Sequence, residues 1–222
     1  MGSDSAVHPV SVMVVDDDKL LRYGLQRILE SSGSITVSAV CDGAEALEQA
    51  ALHRPDVALV DIQMPDLDGL SVLRALRRLD APPVVAMLTG FGTDGNVADA
   101  LAAGAAGFFL KDAAARELVP GVLLLAAGGS ALSSRVMRSL RATPPPPGPG
   151  RGAAADRAPG RGALTGRERD VLDLLATGMT NAQIAERLLL SRSTVKDHVS
   201  SVLAKLGASN RIQAAVLARS AG

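Results

Sequence analysis

Five short, almost unbroken apolar runs recur within residues 10–110, and helical patterning separates and follows them. They are VSVMVV ending at Val15, ITVSAV ending at Val40, VALV ending at Val60, PVVAML ending at Leu88 and GFFL ending at Leu110. A strand that is apolar at consecutive positions has no face left for water, so it belongs in a parallel sheet covered on both sides. The covering helices are predicted at Lys19 to Glu30, Ala44 to His53, Leu70 to Leu79, Asn96 to Ala103 and Ala113 to Ala127. Five such units predict an α/β, doubly wound (βα)5 domain over residues 8–130.

Periodicity then stops. Residues 131–163 read as a linker that is rich in Pro and Gly from 142, with four consecutive prolines at Pro144 to Pro147. Polyproline stiffens such a spacer, and the glycines that follow restore freedom. Over 164–222 there is no strand pattern, but helix starts recur. Thr165 with Glu168, Thr180 with Gln183 and Asn210 with Gln213 have capping-box spacing, and Ser191 suits an N-cap. A small all-α domain of four helices is predicted.

The formal net charge is zero, yet it is divided unevenly. Residues 1–140 hold 11 basic and 17 acidic side chains, whereas 141–222 hold 12 and 6. An acidic part that suits cations thus precedes a basic part that suits a polyanion. The single cysteine, Cys41, excludes an internal disulfide and a cysteine-based zinc site, which implies a reducing compartment. No signal-peptide pattern opens the sequence, and no apolar run approaches the ~20 residues of a membrane span. The expected location is cytoplasmic, with no membrane contact.

Ligands of an open parallel sheet bind beyond the carboxyl ends of its strands. Asp16, Asp17 and Asp18 follow the first strand there, Asp61 ends the third, Thr89 follows the fourth and Lys111 the fifth. Clustered carboxylates repel one another, and a hard dication such as Mg2+ relieves that repulsion. A lysine and a hydroxyl opposite the metal complete a site for a phosphoryl group. Asp18 alone is better read as a helix cap. Asp66 and Asp68, beside Pro65 and Gly69, suit a turn and a cap.

These residues lie in VVDDD, LVDIQMPDLDG, MLTG and FFLKD, whose order and spacing resemble the receiver domain of two-component response regulators. The resemblance implies that Asp61 is the phosphoacceptor, with Asp16 and Asp17 holding Mg2+ beside Asp61 and the backbone carbonyl of Gln63. It further implies that Thr89 and Lys111 contact the phosphoryl oxygens, and that Phe108 occupies the position of an aromatic switch residue. Gln63 and Phe91 flank the path of the hydrolytic water in that family, so Phe91 is expected to shield the acyl phosphate. The DLDG segment also resembles haloacid-dehalogenase-type phosphohydrolases, but their nucleophile directly follows a strand near the start of the fold, whereas Asp66 lies in mid-domain.

In the second domain Val195, Val199, Val202 and Leu206 recur on one helical face, and Ser193, Lys196, Asp197 and Ser200 share the opposite, polar stripe. A tight turn separates this helix from Ile184, Ala185 and Leu188, as in a helix-turn-helix that enters the major groove. Gly207 ends it. The segment LTGRERDVLDLLATGMTNAQIAERLLLSRSTVKDHVSSVLAKLG strongly resembles the DNA-binding domain of LuxR and NarL/FixJ regulators. By that resemblance the helix from Ser193 to Leu206 reads DNA through Arg192, Ser193, Thr194, Lys196, Asp197 and Ser200, and the helix after Asn210 pairs two copies. Asp197 fits this stripe least well, because it repels phosphate unless it accepts from cytosine. His198 is read as structural.

The expected function is transcription regulation controlled by phosphorylation, with a sensor histidine kinase, double-stranded DNA and a second copy of the chain as partners, and no enzyme activity. The alternative is an orphan regulator that binds DNA without phosphorylation. One irregularity is also expected: Pro120 lacks an N–H and clashes with the carbonyl of Arg116, so the fifth helix should kink or restart there. Leu123, Leu124 and Leu125 cannot all face the sheet, so at least one should be exposed, at a position suited to a subunit contact.

Overall fold

The computed structural model describes residues 8–65, 67–90, 94–112, 115–132 and 163–220. The polyproline linker, Asp66 and Phe91 lie outside these residues.

All five expected strands form: β1 (Val10–Val15), β2 (Ile35–Cys41), β3 (Val57–Asp61), β4 (Val84–Thr89) and β5 (Gly107–Leu110). A two-residue β6 (Ala131–Leu132), not expected from the sequence, joins parallel to β5 through Gly107↔Ala131 and Phe108↔Leu132. The sheet is parallel throughout, in the order β2-β1-β3-β4-β5-β6. Consecutive strand residues serve opposite faces. Met13, Val15, Ala58, Val60 and Met87 pack with helices α2 (Ala46–His53), α3 (Gly69–Leu76) and α4 (Asp94–Ala103). Val12, Val14, Leu59 and Leu88 pack instead with α1 (Lys19–Glu30) and α5 (Ala115–Ala126). This two-sided covering is the reason the strands read as continuous apolar runs. The chain leaves β1 for β2 on one side and crosses to β3 on the other, so the switch point lies between β1 and β3, at Asp16 and Asp61.

The restart at Pro120 is not observed: α5 runs unbroken from Ala115 to Ala126. Pro120 is the sixth helical residue, so its missing N–H costs one hydrogen bond near the N-terminal end. The helix is held by tertiary packing, with Leu118, Val122 and Leu125 fully buried, and Gly121 lies against Phe109, where a Cβ would come within 2.4 Å of the ring. Leu125 is fully buried and Leu123 partly so, while Leu124 is 39% exposed, as the helical angle requires.

The second domain has the four expected helices, α6 (Gly166–Ala176), α7 (Asn181–Leu188), α8 (Arg192–Leu206) and α9 (Arg211–Ser220), around a core that includes Leu172, Leu175, Ile184, Val195 and Val202. Thr165–Glu168 and Thr180–Gln183 form full capping boxes. Ser191 caps α8, and Gly207 closes it in the left-handed region at φ 63°. Asn210 caps the Gln213 N–H, but Gln213 reaches back to Ser209 rather than to Asn210.

Hydrogen bonds from Asn181 and Asn210 join the domains. The N–H of Asn181, at the start of α7, donates to the Ala127 carbonyl just past α5 (3.1 Å). The side-chain amide of Asn210, only 5% exposed, donates to the carbonyls of Leu101 (2.7 Å) and Ala105 (3.1 Å) at the end of α4. Two helix C-termini of the first domain thereby meet two helix N-termini of the second, an arrangement the backbone dipoles favour. Among the described residues no helix is long and apolar enough to cross a membrane.

Candidate functional site: an acidic pocket and a helix-turn-helix

The ends of β1, β3, β4 and β5 converge on one rim. Asp16 and Asp61 are buried at 0% and 1% exposure, Thr89 is buried beside them and Asp17 is exposed. One carboxylate oxygen from each of Asp16, Asp17 and Asp61 lies within 4.8 Å of the others. The Lys111 ammonium stands 2.9 Å from both Asp16 Oδ2 and Asp61 Oδ2. Burial raises the Asp61 pKa, and the Lys111 ammonium and the Gln63 N–H (3.2 Å from Oδ1) only partly offset this. Burial also works against the Lys111 charge, but the carboxylates of Asp61 and Asp16 outweigh it and raise the lysine pKa.

The pocket suits a cation. Among the described residues, three carboxylates face one ammonium, and neither Asp16 Oδ2 nor Asp61 Oδ2, both buried, receives a hydrogen bond in addition to the ion pair. An arrangement of oxygen-only donors in excess of positive charge is the donor set hard dications take.

Two neighbouring carboxylates take the capping roles the sequence suggests. Asp18 caps α1 by accepting from the Leu20 and Leu21 N–H groups, and Asp68 caps α3 by accepting from Leu70. Phe108 is fully buried in the core on the α2–α4 face, paired with Met87. The Gln63 side chain is exposed. Cys41 is buried and free, and burial pushes its thiol pKa up to about 12, so it is unreactive.

Two supporting residues had not been read from the sequence. Arg22 donates to the Asp16 carbonyl at 2.7 Å. Gly69 begins α3 against the backbone of β3, where a Cβ would lie 1.9 Å from the Asp61 carbonyl oxygen. Arg22 follows the cap Asp18 by one helical turn in a mostly apolar stretch, which was its only available signal.

On α8, Val195, Val199 and Val202 are buried and Leu206 is partly buried, so the expected face is the packed one. Arg192, Ser193, Lys196, Asp197 and Ser200 are exposed, and Thr194 and His198 are half-buried. Some of the hydroxyls already bond locally: Ser193 and Thr194 lie 2.7 and 2.8 Å from Ser191 Oγ, and Ser200 donates to the Lys196 carbonyl. Arg192, Ser193 and Lys196 line a cleft of about 420 Å3 whose other wall, at Arg54, Asp56 and Pro82, is the edge of the first domain where β3 and β4 begin, opposite the acidic pocket. Below the stripe Glu168 anchors α8 to α6. Lys205 lies 2.7 Å from both its oxygens and Ser201 donates at 2.6 Å, so its pKa falls to about 2.

Residues 12–122 match the response regulator receiver domain family, and residues 162–218 match the bacterial regulatory proteins of the luxR family. The chain is 39% identical to the DNA-binding transcriptional activator DevR/DosR of Mycobacterium tuberculosis over 94% of both chains. It is 37% identical to the nitrate/nitrite response regulator NarP of Escherichia coli, again over 94% of each. Among solved structures, the response regulator ChrA of a heme-sensing two-component system covers 96% of the chain and 98% of its own, at 34% identity and a TM-score of 0.52. With an acidic pocket at the sheet switch point and a helix-turn-helix behind it, the chain belongs to the NarL-type two-component response regulators, which are DNA-binding transcription regulators.

Proposed function

We propose that Asp61 accepts a phosphoryl group from a sensor histidine kinase and that this event controls how α8 meets DNA. The observation that carries the reading is the sharing of Lys111 between Asp16 and Asp61. In the transfer an Asp61 carboxylate oxygen forms a bond to phosphorus. The bond from phosphorus to the donor's nitrogen, or to the oxygen of acetyl phosphate, breaks, and its electron pair leaves with that group. Mg2+ held by Asp16, Asp17 and Asp61, with the Gln63 carbonyl, would neutralise charge on the phosphoryl oxygens. Lys111 can move from the carboxylates onto a new oxygen, and Thr89 supplies a hydroxyl.

Receiver and reading helix are linked through α4 and α5, which continue from the strand ends that carry Thr89 and Lys111. With Arg192, Ser193 and Lys196 facing the edge of the receiver where β3 and β4 begin, a duplex seated on the polar stripe would meet the receiver domain. Phosphorylation would act by releasing the Asn210 and Asn181 contacts, after which α9 pairs two copies on DNA. Within this reading the receiver comprises 8–130, the linker 131–163 and the DNA-binding domain 164–222, with β6 continuing the receiver sheet into the linker's first residues.

Incubation with acetyl phosphate and Mg2+ followed by intact mass tests the assignment. Wild type gains one phosphoryl group and Asp61→Asn gains none. An Asp61→Asn protein phosphorylated to wild-type yield would overturn it.

A further inference from the structure

Asp16 is restrained at every polar atom. Its N–H donates to the Cys41 carbonyl at the end of β2 (3.2 Å), and its Oδ1 accepts the Asp18 N–H (2.9 Å). Its Oδ2 pairs with Lys111 at 2.9 Å. Its carbonyl oxygen accepts from the half-buried Arg22 guanidinium at 2.7 Å, the shortest of the four. Lys111 is shared with Asp61, and a cation or a phosphoryl group entering the pocket competes for it. When Lys111 leaves, the β1–α1 turn is held by β2, Asp18 and Arg22, and Arg22 is the one charged side chain among these.

We propose that Arg22 is a positioning residue that makes the acidic pocket selective for a small octahedral dication over a larger one. The proposal rests on the reading that Asp16, Asp17 and Asp61 hold Mg2+. Mg2+ requires near-ideal octahedral geometry at about 2.0–2.1 Å, whereas Ca2+ accepts variable ligand number at about 2.3–2.6 Å. A turn free to relax therefore weakens Mg2+ binding more than Ca2+ binding. Simple removal of a nearby positive charge acts differently, because it tightens both dications together and leaves their ratio unchanged. The Ca2+/Mg2+ ratio thus separates geometry from charge. Arginine suits the task because its planar fork holds a carbonyl in a fixed direction, which the flexible ammonium of lysine does not.

The test is isothermal titration of the unphosphorylated full chain with MgCl2 and with CaCl2, for wild type, Arg22→Lys, Arg22→Met and the exposed control Arg27→Lys. Loss of an outer-shell partner costs metal affinity by about tenfold or more. We expect the ratio of Ca2+ to Mg2+ dissociation constants to fall by about that factor in both Arg22 variants and to stay at the wild-type value in Arg27→Lys. Arg22→Lys retains the charge, so its fall reports geometry alone. An unchanged ratio in Arg22→Lys and Arg22→Met overturns the proposal, as does an equal fall in Arg27→Lys. Asp17→Asn distinguishes the underlying reading: if it binds Mg2+ as wild type does, the metal assignment fails, whereas normal Asp17 dependence with an unchanged Arg22 ratio removes this proposal alone.

Discussion

Replacing Gly69 by alanine should disable the pocket without touching any of its charged groups. The added Cβ would lie 1.9 Å from the Asp61 carbonyl oxygen and 2.9 Å from both the Asp61 carbonyl carbon and Ile62 Cα. Reaching even the 3.0 Å limit requires about 1.1 Å of movement, and all of these atoms are backbone. β3 cannot yield freely, since β1 and β4 pair with it on either side, and α3 is tied to it by the Gly69 N–H to the Ile62 carbonyl (3.2 Å). Overpacking of this kind costs about 1–3 kcal/mol, which for a domain of this size lowers Tm by roughly 4–12 °C. A displacement of about 1 Å at a reacting group slows a reaction about 100-fold. The assay is the initial rate of phosphorylation by acetyl phosphate at saturating Mg2+, with Tm from circular dichroism. Gly24→Ala is the control: no atom lies within 4 Å of its Cβ and it sits within α1, so the substitution should stabilise by about 0.5–1 kcal/mol and leave the rate unchanged. A Gly69→Ala protein with wild-type Tm and rate would refute the steric argument.

Further outcomes are expected from the same geometry. Glu168 has its folded pKa depressed from 4.5 to about 2, first by Lys205, so its stabilising contribution is complete above pH ~4.5 and is lost as pH falls toward 2. Thermal melts of Glu168→Gln should show a lower Tm at neutral pH and a flatter Tm profile across that window; a profile parallel to wild type would contradict the assignment. Asn210→Asp keeps an oxygen for the Gln213 N–H but turns a carboxylate toward the Leu101 and Ala105 carbonyls. Loss of two hydrogen bonds at ~0.5–1.5 kcal/mol each should shift the unphosphorylated chain about 5–150-fold toward separated domains. Small-angle scattering should show the expansion, and an unchanged radius of gyration would count against the contact. Lys196→Ala should weaken binding to all duplexes and flatten the salt dependence, while Asp197→Ala should relax base choice at one position by ~1–3 kcal/mol. Uniform wild-type affinity and an unchanged motif would remove α8 from the interface.

The β1–β5 runs were legible because burial on both faces leaves an uninterrupted apolar signature, and the helix starts at Thr165 and Thr180 because capping is local chemistry. β6 was not, since two residues carry no periodicity. At Pro120 propensity set the expectation, whereas α5 continues through it with Leu118, Val122 and Leu125 buried against the sheet. The pocket carboxylates could be found from their positions at strand ends. Arg22 and Gly69 could not, because one acts through a backbone carbonyl and the other through the absence of a side chain. Glu168 read as half of a capping box, yet its ionic partner is Lys205, 37 residues away. Asn210 likewise read as a cap, while its other half bonds α4 more than 100 residues earlier. Local patterns reveal what a residue does for its own element, and tertiary partners stay hidden.

In the function proposed above, phosphorylation at Asp61 governs access of α8 to DNA. Its most direct test is fluorescence anisotropy of the full chain with a duplex selected from a random pool by the phosphorylated protein, measured before and after acetyl phosphate treatment, for wild type and Asp61→Asn. Wild type should tighten on phosphorylation, and Asp61→Asn should remain at the weak, untreated value. Equal affinity for untreated and treated wild type, both matching Asp61→Asn, would contradict it and would identify instead a regulator that binds DNA without phosphorylation.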